Sequence, residues 1–354
     1  MSKDYADFVN RSGRKSFQST SPSKIEMPMP LSVVPFKNEE NGFNRRRDRP
    51  RMKSDYLKSP YIIQAVDITK GIPRPEKHVA KWIFSLQGNN WSCFSCNDIV
   101  FHTLDGFSAQ RFHLESFFPT CELFGHVIDC WSQVLNLDES KYAPESTLRV
   151  YCKTELTVCF SNLTESERKA KFFENLLLSI EDMDSTLRYV GLIFLPVVRS
   201  FHIFLFVINL QHPEFVIIDN SKVDDHIDVN MVNCPNHQTE MFSHVMPHRL
   251  EMPWRTINNH IDCGVFTMRH METYMSGSMN EFKVGFKNKS PAQDDQLSKL
   301  RKKYLYKIIT HEYNVHKDYV LQKVNEFYKF SARQRSELLS IAKEQIHTRL
   351  SDFS

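Results

Sequence analysis

Three apolar runs in close succession dominate the middle of the chain: Tyr189 to Val198 (YVGLIFLPVV), Phe201 to Leu210 (FHIFLFVINL) and Glu214 to Asn220 (EFVIIDN). They are rich in β-branched and aromatic residues, and apolar in near-continuous blocks rather than in alternation. That pattern predicts strands covered on both faces. Gln211 to Pro213 form a short link between the second and third runs, so an antiparallel hairpin is the economical connection. Helical spacing is found on both sides of the strands. Val79, Trp82, Ile83 and Leu86 recur at i, i+3, i+4 and i+7, and Val127, Ile128, Trp131, Val134 and Leu135 share one apolar face. Further on, DCGVFTMRHMETYM places Gly264, Met268, Met271 and Met275 along the buried stripe of another helix. Charged helical patterns fill the chain from about Asp295 to Leu350.

Residues 1–58 have no such period and are rich in Ser, Pro, Asn and Arg. Too little apolar surface is available there to offset ordering entropy, so a disordered basic tail is expected, followed by one folded domain over 59–354. Composition agrees with a soluble globular domain: of 354 residues, 41% are hydrophobic and 25% charged. A formal net charge of +3 gives no overall field that would point to nucleic acid. The basic run Asn44 to Lys53 (NRRRDRPRMK) reads equally as a nuclear-import signal, a nucleic-acid contact or a solvated charge run. The N-terminus lacks the apolar core of a secretory signal, and no apolar stretch is long enough to span a bilayer. Eight cysteines in a chain of this length do not read as a disulfide framework, so reduced thiols in nucleus or cytosol are expected.

The hairpin brings chemistry into the pattern. Centred between Leu210 and Gln211, it sets His202 directly opposite Asp219 at its open end. Opposed residues of an antiparallel pair have Cβ atoms roughly 4.5–5.5 Å apart on one face. A carboxylate there accepts from an imidazole N–H and fixes its tautomer. Taken singly, each residue has a plainer reading: a histidine beside an apolar strand is usually structural, and Asp before Asn usually forms a turn.

Cys263 opens the predicted helix that carries the methionine stripe. At a helix N-terminus the unpaired amides and the dipole favour a thiolate, more so beside an imidazolium. Gly264 leaves the backbone open, so neighbouring amides can donate to a developing oxyanion. The plainer reading of Cys263 is a small buried hydrophobe.

The order His202, Asp219, Cys263, with FH opening a strand, IIDNS closing the next and DCGVF opening a helix, resembles the ubiquitin-like-protein-specific cysteine proteases, the Ulp/SENP family. WRTINNHIDCGVFTMRHMETYM is particularly similar to the plant branch of that family, including copies carried by transposable elements. The resemblance implies an α+β fold of the papain-like, Ulp type. Its central sheet is mainly antiparallel and flanked by helices, with the nucleophile at a helix N-terminus. It implies a monomeric nuclear protease that needs no metal or cofactor and acts on SUMO or another ubiquitin-like modifier, cutting after the modifier's C-terminal Gly-Gly. Cys263 would be the nucleophile, His202 the base and Asp219 the group that orients His202.

The sequence departs from the family pattern Gln-x-Asn-x-x-Asp-Cys-Gly in one position of that motif and in two elsewhere. Ile257 stands where the oxyanion Gln is expected, which leaves Asn258, Asn259 and the amide at Gly264 as candidate donors. Ile203 replaces the Trp that follows the catalytic His, and CELFGHVIDCW replaces the Trp-Leu-Asn-Asp signature. Three readings therefore stand: an active isopeptidase, a weakened or inactive transposon-derived relative that binds a modifier, and a nucleic-acid-associated protein acting through its basic tail. Other signals are weaker. Cys93 and Cys96 have zinc-knuckle spacing without a second pair, and Cys234, His237, His244 and His248 read most plainly as a polar loop. Lys299 to Lys307 (KLRKKYLYK) reads as a solvated helix face.

Overall fold

The computed structural model describes residues 65–85, 95–142, 148–157, 190–199, 202–222, 246–257, 259–276 and 282–351, with scattered positions between 164 and 174. These all fall within one unit, Lys58–Ser354. The predicted tail, Leu86, Cys93 and the loop carrying Cys234, His237 and His244 lie outside the described residues.

In chain order the elements are α1 (Arg74–Ile83), β1 (Ile99–His102), β2 (Ser108–Gln110), α2 (Arg111–Glu115), α3 (Gly125–Tyr142), β3 (Leu148–Tyr151), β4 (Val190–Arg199), β5 (His202–Asn209), β6 (Glu214–Ile218), β7 (His248–Arg249), α4 (Cys263–Thr273), α5 (Pro291–Thr310), α6 (Lys317–Lys329) and α7 (Ala332–Ser351). The fold is α+β. Its main sheet has the order β3-β4-β5-β6-β7, with β1 and β2 forming a separate ribbon. The sheet is mixed: the long central pairs β4–β5 and β5–β6 are antiparallel, and the short edge pairs β3–β4 and β6–β7 are parallel.

The three apolar runs are the three central strands, and their lack of alternation has the expected cause. Along β5, Ile203, Leu205 and Val207 join the large core under the helices, while Phe204, Phe206 and Ile208 form a second cluster with Ile193, Leu195, Phe215 and Ile217. Both faces are covered, so every residue of β5 is buried. Pro196 sits within β4 at no cost to a second ladder. Its pairing with β3 ends opposite Phe194, so the missing N–H falls beyond that ladder.

Helix α4 is the element that the core is built around. Met268 and Met271 are fully buried as the stripe predicts, but the helix ends at Thr273. Met275 therefore lies beyond it, with its sulfur accepting from Arg149 Nη1 at 2.9 Å. Trp131 of α3 donates to the Met268 carbonyl at 3.1 Å and packs edge-on against Tyr304 of α5. At the far end of α4, Glu272 accepts from Arg269 at 2.8 Å, from the Tyr304 hydroxyl at 3.0 Å and from the Val66 amide at 2.8 Å. A buried carboxylate needs such donors to offset its desolvation. None of the described helices is long and apolar enough to cross a membrane.

Candidate active site

His202 is the first residue of β5, and Asp219 follows the last residue of β6. The hairpin is centred one residue later than expected, between Gln211 and His212, because Leu205 pairs with Ile218 and Asn209 with Glu214. His202 and Asp219 are consequently offset by two residues rather than directly opposed. A displacement of two preserves the side of the strand, whereas a slip of one would have separated the pair. Diagonal neighbours remain within reach of a long side chain. His202 Nε2 donates to Asp219 Oδ1 at 2.7 Å, and both are buried, at 7% and 0% exposure.

Cys263 is the first residue of α4 and 2% exposed. One turn further along, the Thr267 hydroxyl donates to the Ile203 carbonyl at 3.2 Å. This contact lays the start of α4 beside the start of β5 and brings the thiol near enough to the imidazole to help raise its pKa. Nε2 is taken up by Asp219, which leaves Nδ1 for a further partner. The thiol donates to the His260 carbonyl at 3.0 Å. The structure thus brings together all three residues that the sequence singled out, in the order Asp219, His202, Cys263.

The electrostatics follow from burial and contact. Burial alone would make His202 harder to protonate, but its interactions with Asp219 and Cys263 outweigh that and raise its pKa to about 9. Asp219 is likewise opposed by burial, yet His202, the Ser221 amide and Arg249 hold its carboxyl below the usual range. A neutral imidazole beside a thiol can take the thiol proton, and the imidazolium–thiolate pair that results is the nucleophilic form of cysteine.

The loop before Cys263 is fixed from two sides. Asn259 Nδ2 donates to Asp262 Oδ2 at 3.2 Å, and Asn259 Oδ1 accepts from the Asp262 amide at 3.1 Å. Asn259, expected among the oxyanion donors, thus has both ends of its amide engaged by Asp262. Asn258 lies outside the described residues, and Ile257 is 60% exposed. At Gly264 a Cβ would stand 2.9 Å from Leu123 Cβ, so glycine is needed there for the close approach of Leu123. The first i→i−4 bond of α4 runs from Phe266 to the Asp262 carbonyl at 3.0 Å. Amides of the first turn precede it and have no acceptor within the helix. Ile203, a second departure, is buried in the core beneath α4.

Two arginines complete the site, and the sequence reading singled out neither. Arg249 Nη2 donates to Asp219 Oδ2 at 2.8 Å. Arg301, from the basic run read as a solvated face, is 2% exposed. Its guanidinium donates to Asp262 Oδ1 and to the Ile261 carbonyl, at 2.9 and 2.7 Å from Nη2. A signal for Arg301 did exist: it falls on the apolar stripe of Leu297, Leu300, Tyr304, Leu305 and Ile308, where a charge implies a buried partner. Arg249 has no comparable signal, because its partner lies at the end of another strand, 30 residues away. Among the described residues, no three His, Cys, Asp or Glu side chains group as metal ligands would.

No family model and no curated protein matches the chain. Among solved structures it is similar to the C-terminal Ulp1 protease domain in complex with Smt3, the yeast ortholog of SUMO, with 10% identity and a TM-score of 0.47 over 70% of this chain and 98% of that one. It is also similar to SUMO protease Ulp1 with its catalytic cysteine oxidised to a sulfenic acid, with 12% identity and a TM-score of 0.46 over 69% and 98%. A third similar structure is the catalytic domain of a Chaetomium thermophilum Ulp1-like SUMO protease, with 15% identity and a TM-score of 0.45 over 72% and 95%.

Proposed function

We propose that this chain is a cysteine protease or isopeptidase that cleaves after the C-terminal Gly-Gly of SUMO or another ubiquitin-like modifier. The observation that carries the reading is the buried His202 imidazole, bonded through Nε2 to Asp219 and close enough to Cys263 for the thiol to raise its pKa. In this mechanism the Cys263 thiolate attacks the glycine carbonyl, and the first-turn amides of α4 stabilise the oxyanion. His202 gives its proton to the departing amine, leaving a thioester on Cys263. Water, deprotonated by His202, then hydrolyses the thioester and restores the thiol. The modifier class is drawn from the sequence resemblance at DCGVF and IIDNS.

The exposed Ile257 favours a second reading. With an alkyl side chain where an amide donor is expected, the oxyanion loses one stabilising group, at a cost on the order of 10²–10³ in rate. A weakened or inactive relative that binds a modifier would keep the rest of the geometry. The test is to incubate wild-type and C263A protein with modifier precursors extended beyond Gly-Gly and to locate any cut by mass spectrometry. Cleavage after Gly-Gly by wild type alone supports the protease. Binding without cleavage by either protein supports the second reading.

A further inference from the structure

Asp219 is held more firmly than the orientation of one histidine requires. Its Oδ1 accepts from His202 Nε2 at 2.7 Å and from the Ser221 amide at 2.8 Å, while Oδ2 accepts from Arg249 Nη2 at 2.8 Å. The same Arg249 nitrogen donates to the Ser221 carbonyl, which also accepts from Arg255 Nε at 3.0 Å. Strand β7 pairs with β6 so that Arg249 lies beside Ile217, and the guanidinium reaches past the end of β6 to the carboxylate. One nitrogen therefore ties the carboxylate to the turn that follows it. Rotation of Asp219 about its terminal torsion would break bonds at both oxygens.

We infer that Arg249 is a positioning residue of this site, whose guanidinium holds Asp219 ionised and fixed toward His202 and so sets the reactivity of Cys263. The inference rests on the reading of Cys263 as nucleophile. The groups facing Asp219 are His202 of β5 with Cys263 beyond it, Arg249 of β7, Arg255 behind the Ser221 carbonyl, and His270 of α4. Burial pushes the His270 pKa down to about 3, so it is neutral at working pH. Arg255 is paired with Glu251. Among the described residues, Arg249 is thus the permanent cation in direct contact with the carboxylate.

The test is alkylation of Cys263 by iodoacetamide as a function of pH, read on the Cys263 peptide by mass spectrometry, for wild type, R249Q and R249K. In R249Q the acid limb is expected about 1 pH unit above that of wild type, because a carboxylate without its cation takes up a proton sooner and releases the imidazolium. R249K keeps the charge but cannot bridge Asp219 and Ser221. It should show a limb displaced by less than half as much and a several-fold lower rate at pH 7. Thermal unfolding checks that each variant is folded, and if R249Q is not, the R249K rate carries the test. Folded variants with unchanged limb and rate overturn the inference. The readout does not depend on hydrolysis: if wild type cleaves no modifier while the variants shift alkylation, the positioning role stands and the protease reading falls.

Discussion

Arg301 holds Asp262 Oδ1 from two nitrogens, Nε at 3.0 Å and Nη2 at 2.9 Å, and so a buried guanidinium on α5 fixes the residue immediately before Cys263. Its Nη1 also donates to the Ser116 carbonyl at 3.1 Å. Removing Arg301 leaves the partly exposed Asp262 carboxylate without its cation and the Ser116 and Ile261 carbonyls without a donor. R301M is expected to destabilise the protein by about 1–3 kcal/mol in urea unfolding, and R301K by less. Equal stability of R301M and wild type would contradict this account.

Gly264 limits the same turn by shape. The Cβ of G264A would meet Leu123 Cβ at 2.9 Å and Cδ1 at 3.1 Å. Overpacking of this kind costs about 1–3 kcal/mol, and a shift of the first turn of α4 would also move Cys263. The double variant G264A/L123A should recover only part of the loss, because alanine retains the Cβ that makes the closest contact. A double-mutant cycle on unfolding free energy and Cys263 alkylation measures that coupling.

His202 makes stability depend on pH in a defined window. Its folded-state pKa is raised from 6.5 to about 9. A raised pKa means that the folded state binds the proton more tightly, so the contribution is fully present below about 6.5 and is lost as pH rises through about 9. Urea midpoints should therefore fall from pH 6.5 to 9 in wild type and fall less in H202Q. In C263A one of the groups raising the pKa is gone, and NMR titration of His202 should give a lower value than in wild type. A His202 pKa unchanged by C263A would separate the thiol from the imidazole.

Ile257 offers a gain-of-function test. It is 60% exposed, so replacing it should leave stability within ~0.5 kcal/mol. I257Q restores an amide where the family pattern has one, and hydrolysis is expected to rise by roughly 10- to 100-fold. A folded I257Q with unchanged turnover would show that the side chain at this position does not reach the oxyanion.

The sequence carried the central strands and α4 because burial on both faces and a methionine stripe leave local marks. The hairpin centre was legible only to within one residue. Turn geometry around Gln211 and His212 decides it, and a tight turn can close at either place. The pairing of His202 with Asp219 survived because the resulting offset is even. Arg249 and Arg301 were hidden for a different reason: their partners lie 30 and 39 residues away, and an arginine reads as surface until a buried acid is placed beside it. The role of Asn259 was obscured by its neighbour, since only the folded loop shows its amide closing on Asp262.

The central claim is that Cys263 is a nucleophile directed at a ubiquitin-like modifier. The most direct measurement is to incubate the folded protein with a panel of such modifiers bearing C-terminal electrophiles, alongside C263A, and to map any adduct by mass spectrometry. The account predicts a covalent adduct at Cys263 with at least one modifier, absent in C263A. Folded wild-type protein that forms no adduct with any modifier would contradict it.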